Sequence, residues 1–84
     1  MAYTVEFSPA AAREFRKLGR EIQLRLRPRI DALVDDPRPS GAKKLKGSDL
    51  WRIRVGDHRV VYAIRNQVLV VLVVRIAHRR EVYR

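Results

Sequence analysis

The stretch LWRIRVGDHRVVY, residues 50–62, places two runs of alternating side chains on either side of a Gly-Asp pair. Gly-Asp is a favourable two-residue turn between antiparallel strands, so this stretch predicts a β-hairpin. A two-residue loop also fixes the register. Val55 should lie opposite His58, and each step away from the turn should pair the next two residues, as far as Trp51 with Tyr62.

This register divides the hairpin side chains between two faces, because directly opposed residues point to the same side of a sheet. One face carries four apolar or aromatic residues: Trp51, Ile53, Val60 and Tyr62. The other carries three arginines: Arg52, Arg54 and Arg59. We expect helices to cover the first face. Clustered arginines beside apolar Val61 and Leu72 favour an anion-binding surface over an ordinary solvated face, since guanidinium groups bind phosphate in a bidentate manner.

Two helices are predicted between a first strand at residues 3–7 and the hairpin. Ser8 and Pro9 suit the start of the first helix, and Gly19 suits its C-cap. Apolar residues at helical spacing predict the second helix from about residue 20 to residue 35. Pro28 should kink it or divide it into two pieces, because proline removes a backbone hydrogen bond and costs about 3 kcal/mol inside a helix. Residues 37–48 are predicted to form a loop.

A last strand is predicted over residues 68–76, after an Asn66-Gln67 turn. It is apolar on both faces up to Arg75, which is typical of a central strand, and the first strand should flank it. The predicted fold is therefore α+β: two N-terminal helices packed on one face of a small, mostly antiparallel four-stranded sheet. Residues 1–84 form a single domain.

The composition is strongly basic, with 19 Lys and Arg against 9 Asp and Glu and a net charge of +10. Such a chain should bind nucleic acid or an acidic protein. The absence of cysteine excludes a disulfide framework, a Cys-based zinc site and a thiol nucleophile. No signal peptide is recognisable at the N-terminus, and the apolar run at residues 68–74 is too short to cross a bilayer. We therefore expect a cytoplasmic protein with no membrane contact.

The sequence resembles the RelE branch of the RelE/ParE toxin superfamily along essentially its whole length. The segments that carry the resemblance are FSPAA at 7–11, KLKG at 44–47, LWRIRVGDHRVVY at 50–62 and HRREVYR at 78–84. Each is weak alone, but their order and spacing are specific in so short a chain. The resemblance implies the toxin of a type II toxin–antitoxin pair, silenced by an acidic RelB-like antitoxin that wraps it. It implies contact with the ribosome and mRNA, and with operator DNA only through the antitoxin.

The resemblance also implies an activity, namely metal-free, ribosome-dependent cleavage of mRNA with the RNA 2′-hydroxyl as nucleophile and no cofactor. RelE-like enzymes use two basic residues on one hairpin strand, an arginine on the other, an arginine after the last strand and a tyrosine near the C-terminus. These fall on Arg52, Arg54, Arg59, Arg79 and Tyr83. The best-studied pattern has lysines where this chain has Arg52 and Arg54, and arginine is a poor proton donor or acceptor.

Three further expectations concern groups outside that set. His78 is an alternative acid or base, because imidazole has the right unperturbed pKa for either proton transfer. Lys43, Lys44 and Lys46 should position RNA through its phosphates rather than perform chemistry. The two histidines, far apart in sequence and without paired carboxylates, predict no metal site.

Two alternative functions remain at this stage. A ParE-like gyrase inhibitor would have the same fold without nuclease activity, although such proteins generally lack the arginine and tyrosine set. A non-enzymatic, basic RNA-binding domain would need the charge alone. Alanine at Arg79 or Tyr83 would then barely alter its activity.

Overall fold

The computed structural model describes residues 2–78, which form a five-stranded sheet with two helices on one face. In chain order the elements are β1 (Thr4–Phe7), α1 (Pro9–Lys17), α2 (Arg20–Asp31), a 3₁₀ turn (Ala32–Val34), β2 (Lys43–Lys44), β3 (Leu50–Val55), β4 (His58–Arg65) and β5 (Val70–His78). The α+β class and the two N-terminal helices are therefore confirmed.

The strands lie in the order β1-β5-β4-β3-β2, and only β1 runs parallel to its neighbour. The hairpin of β3 and β4 has the predicted turn and the predicted register, with Val55 opposite His58 and Trp51 opposite Tyr62. The central position of β5, flanked by β1, is also confirmed. A two-residue loop leaves the hairpin one register, which is why the sequence sufficed here.

The helices cover the face of the sheet that carries Ile53, Val60 and Tyr62, and these side chains are 2%, 0% and 0% exposed. From the helices, Leu26 and Ile30 of α2 are fully buried in the same core. Ser8 caps α1 as predicted, its hydroxyl accepting a hydrogen bond from the Ala11 N–H at 3.1 Å. The opposite face of the sheet has no helix on it among the described residues.

The predicted C-cap of the first helix is wrong, and so is the division of the second helix at Pro28. The C-cap of α1 is Leu18, and Gly19 is instead the extended N-cap of α2, with a φ of −61°. The Gln23 amide donates to the carbonyls of Phe15 and Leu18 at 2.9 and 3.1 Å, which satisfies acceptors that a left-handed glycine cap would otherwise serve. The helix also does not divide at Pro28, which lies inside α2; the change to 3₁₀ geometry comes at Ala32.

The predicted four-stranded sheet is wrong by one strand, because Lys43 and Lys44 form β2 within the expected loop. Two lysines show no alternation, so this strand exists through its pairing with Arg52 and Trp51 rather than through its own pattern. The final strand begins at Val70 rather than residue 68. Its turn takes four residues, 66–69, and ends with Leu69 in the left-handed region at a φ of 55°.

Candidate nucleic-acid interface

The face of the sheet opposite the helices carries the three hairpin arginines, and we call Arg52, Arg54 and Arg59 with Val61 and Ala77 between them the arginine face. Arg54 lies directly opposite Arg59, and Arg52 lies directly opposite Val61. The Arg54 side chain is exposed, Arg52 and Arg59 are half-buried, and the Nε atom of Arg59 is fully buried. The structure therefore brings these three predicted site residues together.

The floor of the arginine face is apolar and closely packed. Val61 and Ala77 are each 3% exposed, and Ala77 is the cross-strand partner of Arg59 on β5. A buried apolar floor holds the guanidinium groups beside a surface of low polarity, where their attraction for a phosphate is screened less than in open water. The face can thus bind an anion with charges that the strands already hold in place.

Arg54 and Arg59 are directly opposed on neighbouring strands, a placement of like charges that generally destabilises a sheet. A ligand phosphate would relieve the repulsion by accepting hydrogen bonds from both guanidinium groups. The paired arginines are therefore suited to binding a phosphate.

Two cations extend the arginine face along one row of the sheet. Lys43 on β2 lies opposite Arg52, and Arg75 on β5 lies opposite Val61. The register of Arg75 could not be predicted, because β5 contains an irregularity opposite Val61 and Tyr62 that shifts the alternation by one residue. The sequence still marks Arg75 as unusual, because it is the one charged residue in the apolar run from 68 to 77.

Glu14 of α1 fixes the position of Arg75. One carboxylate oxygen accepts from the Arg75 Nε at 2.8 Å, and the other accepts from the backbone N–H of Ile76 at 2.7 Å. Strand β1 pairs with β5 only as far as Phe7 and Val73, so the Ile76 N–H lies beyond the end of this pairing. The Glu14 carboxylate provides the acceptor for that N–H. Arg75 is thereby held at the border of the arginine face rather than over its centre.

His78 lies on the other side of the sheet. It is paired with His58 at the end of the β4–β5 ladder, and the two rings meet edge to face with centroids 5.1 Å apart. Both histidines line a cavity of about 140 Å³ together with Ile22 and Leu26 of α2. The structure therefore does not bring the His78 ring to the arginine face. Arg79 and Tyr83, the remaining predicted site residues, lie outside the described residues.

The three loop lysines do not form one surface. Lys43 belongs to the arginine-face side of β2, whereas Lys44 lies opposite Trp51 and so belongs to the other side. Lys46 follows in the turn before β3, where it lines an open groove together with Lys44. Within residues 2–78 there is no group of three or more side chains that could ligate a metal ion, and no helix there is long and apolar enough to span a membrane.

Residues 5–83 match the family model described as the ParE toxin of the type II toxin–antitoxin system, parDE. The chain belongs to this toxin family. The expected resemblance to the RelE/ParE superfamily is thus confirmed. The match runs through the helices, the whole sheet and the basic C-terminal segment, so it covers every element from which the arginine face of this toxin is built.

Among its relatives, the toxin is similar to RelE proteins. The mRNA interferase toxin RelE of Escherichia coli (strain K12) is 33% identical over 88 residues, covering 99% of this chain and 92% of the relative. In the intact E. coli RelBE toxin–antitoxin complex, the matching chain has a TM-score of 0.83 at 28% identity and covers 99% of this chain and 100% of that one. The archaeal RelE–RelB complex of Pyrococcus horikoshii OT3 also gives 0.83, at 26% identity, with 98% and 100% covered.

Proposed function

We propose that this toxin is a ribosome-dependent, metal-independent mRNA endoribonuclease whose arginine face binds the scissile phosphate. The observation that carries the proposal is the meeting of Arg52, Arg54 and Arg59 on one open face of the sheet. Similarity to a RelE protein named an mRNA interferase supports the choice of RNA as substrate.

The proposed chemistry uses the RNA itself as the nucleophile. The 2′-hydroxyl attacks the adjacent phosphorus, the bond to the 5′-oxygen breaks, and a 2′,3′-cyclic phosphate and a 5′-hydroxyl result. This step needs a base, an acid and positive charge for the pentacoordinate phosphorane. Arg59 and Arg79 bind the phosphate, and Arg52 and Arg54 add positive charge. Tyr83 transfers the proton that the 2′-hydroxyl loses. We prefer Tyr83 to His78 because the sheet separates the His78 ring from the arginines.

The first experiment follows mRNA on programmed ribosomes, with toxin that has been treated with EDTA. We expect a single cut per bound message, with a 2′,3′-cyclic phosphate on the upstream fragment. A 2′-deoxy substitution at the nucleotide before the cut should abolish cleavage while leaving ribosome binding intact. Cleavage of the deoxy message, or a product with a 3′-hydroxyl, would contradict the 2′-hydroxyl mechanism.

The second experiment concerns the two C-terminal residues. Removing one preorganised donor typically lowers a rate about 10²–10³-fold. Arg79→Ala and Tyr83→Phe should therefore both lose toxicity in cells yet keep their melting temperature and their antitoxin binding. Tyr83→Phe is the sharper change, because it keeps the ring and deletes the hydroxyl alone. A fully active Tyr83→Phe toxin would remove the Tyr83 hydroxyl from the mechanism.

The name of the matching family model favours one other candidate, a ParE-like inhibitor of gyrase. The two activities separate in parallel assays with the same preparation. A nuclease cuts ribosome-bound mRNA and leaves the supercoiling of plasmid DNA by gyrase unchanged, whereas a gyrase inhibitor does the reverse. Gyrase inhibition without mRNA cleavage would replace the nuclease proposal.

A RelB-like antitoxin is the proposed partner. The toxin carries a net charge of +10, and the solved RelBE complexes of similar fold pair a toxin with an antitoxin. We expect an acidic, amphipathic antitoxin segment to bind the folded toxin and stabilise it by about 2.7 kcal/mol at a hundredfold excess over the dissociation constant. Co-purification at low salt without any rise in melting temperature would count against a specific complex.

A further inference from the structure

We infer that a second cleft, separate from the arginine face, binds an unpaired RNA base on Trp51; this rests on the proposed RNA substrate. The cleft has a volume of about 480 Å³, which is large enough for a small ligand, and lies at the open end of β3 and β4. We call it the Trp51 cleft; its polar and aromatic lining consists of Arg38, Lys44, Asp49, Trp51, Arg65 and Asn66.

Trp51 provides the stacking surface. Its cross-strand partners are Tyr62 and Lys44, so it lies on the helix side of the sheet, but it is half-buried where Tyr62 is fully buried. The half-buried indole, which lines the cleft, gives a base a rigid, flat surface. Unpaired RNA bases are commonly recognised by stacking of this kind on an aromatic ring.

Arg38 is held over the Trp51 ring before any ligand arrives. Its guanidinium carbon lies 5.5 Å from the ring centroid. The backbone around it is anchored twice, because the Tyr62 hydroxyl donates to the Pro37 carbonyl at 2.8 Å and the Asp36 carboxylate accepts from the Arg38 N–H at 3.2 Å. A planar guanidinium next to an indole can stack on a base or bind its phosphate.

The other polar groups of the cleft suit the parts of a nucleotide. Lys44 and Arg65 are exposed cations at the rim, where they can contact phosphates on either side of a stacked base. Asp49 supplies a carboxylate, which accepts hydrogen bonds and therefore favours a base that carries an exocyclic amino group. Cytosine, adenine and guanine have such a group, and uracil does not.

An acidic peptide is the competing ligand, since cations alone would also attract carboxylates. Two features favour RNA. The Trp51 ring offers a flat stacking surface that an acidic side chain does not use, and the Asp49 carboxylate can accept a hydrogen bond from a base amino group, a donor that an acidic side chain lacks. The cleft therefore combines a surface for stacking, cations for phosphate and one acceptor for the base.

The experiment uses the fact that Trp51 is the chain's single tryptophan. Full-length toxin is titrated with 2′-O-methyl heptamers of cytidine or uridine, which supply no 2′-hydroxyl for cleavage, while tryptophan emission is recorded. We expect saturable quenching, with tighter binding of the cytidine heptamer. Arg38→Ala and Arg65→Ala should each weaken that binding roughly tenfold, the effect of losing one charge-assisted contact. Arg29→Ala, which removes the same charge from the exposed side of α2, should bind as the wild type does.

Several results would overturn the inference. One is binding of a labelled heptamer, seen by anisotropy, without any change in tryptophan emission. Another is equal loss of affinity in Arg38→Ala and Arg29→Ala, which would reduce the effect to net charge, and a third is equal binding of cytidine and uridine. Equal quenching by a heptamer of glutamate would assign the cleft to an acidic peptide. The titration needs neither the ribosome nor cleavage, so its result is independent of the result of the nuclease assay.

Discussion

The two faces of the sheet are made by the same strands, yet they differ in almost every physical property. On the helix side, Ile53 and Val60 are 2% and 0% exposed within an apolar core. One residue along on the other side, Arg54 and Arg59 place like charges opposite each other. Alternation along a strand thus keeps the buried core residues apart from the arginines of the arginine face. Substitutions in the core should therefore lower the free energy of unfolding, whereas substitutions on the arginine face should lower mRNA cleavage.

The largest effect on stability is expected from the helix side. Leu26 of α2 is 0% exposed, and truncation of a buried leucine typically costs about 2–5 kcal/mol. Leu26→Ala should lower the free energy of unfolding by that amount in a urea titration. The matched control is Leu24→Ala on the same helix, where the side chain is 63% exposed and the loss should stay within about 0.5 kcal/mol. Equal losses at the two leucines would contradict the assignment of the core.

The next largest effect on stability is expected from Tyr62, and this effect depends on pH. Burial raises the pKa of Tyr62 to about 12, and the nearby Arg38 charge lowers it in part. The unfolded chain releases this proton near pH 10, so stability is unaffected below about pH 10 and falls as the pH rises toward 12, by up to about 2–3 kcal/mol. Urea titrations at pH 9, 10 and 11 measure this loss. Tyr62→Phe should be less stable than the wild type at pH 9 but should lose less stability over the same pH range.

That pH dependence separates Tyr62 from the other titrating groups of the chain. Because lysines and the remaining tyrosines titrate in the same range in both proteins, their contributions cancel in the comparison. Parallel loss of stability in the wild type and Tyr62→Phe would mean that the Tyr62 hydroxyl is not held to the Pro37 carbonyl as described.

A smaller effect of opposite sign is expected on the arginine face. Removing one of two like charges on directly opposed residues should stabilise the sheet by a few tenths to 1 kcal/mol. Arg54→Thr, which also places a β-branched residue in the strand, should therefore raise the melting temperature while lowering mRNA cleavage. The comparison variant is Arg29→Thr in α2, which removes the same charge without a cross-strand partner. A lower melting temperature for Arg54→Thr would show that the pair supports the fold.

The hairpin was predictable from sequence because its physics is local. A two-residue turn sets the register of Val55 with His58, and that register places Arg52, Arg54 and Arg59 on one face. Strand β2 was not predictable, since Lys43 and Lys44 become a strand only against β3. Nor was the position of His78, which depends on the β4–β5 register and on the irregularity in β5 that also moves Arg75. Features that need two distant segments to meet lay beyond the local pattern.

The central claim is that the arginine face binds the scissile phosphate of RNA, whereas the buried core on the helix side stabilises the fold. It is tested most directly by single-turnover cleavage of mRNA on programmed ribosomes by the wild type, Arg59→Ala and Arg29→Ala. We predict that Arg59→Ala cleaves about 10²–10³-fold more slowly, while Arg29→Ala cleaves at the wild-type rate and both variants remain folded. A folded Arg59→Ala toxin that cleaves as fast as Arg29→Ala would contradict the claim.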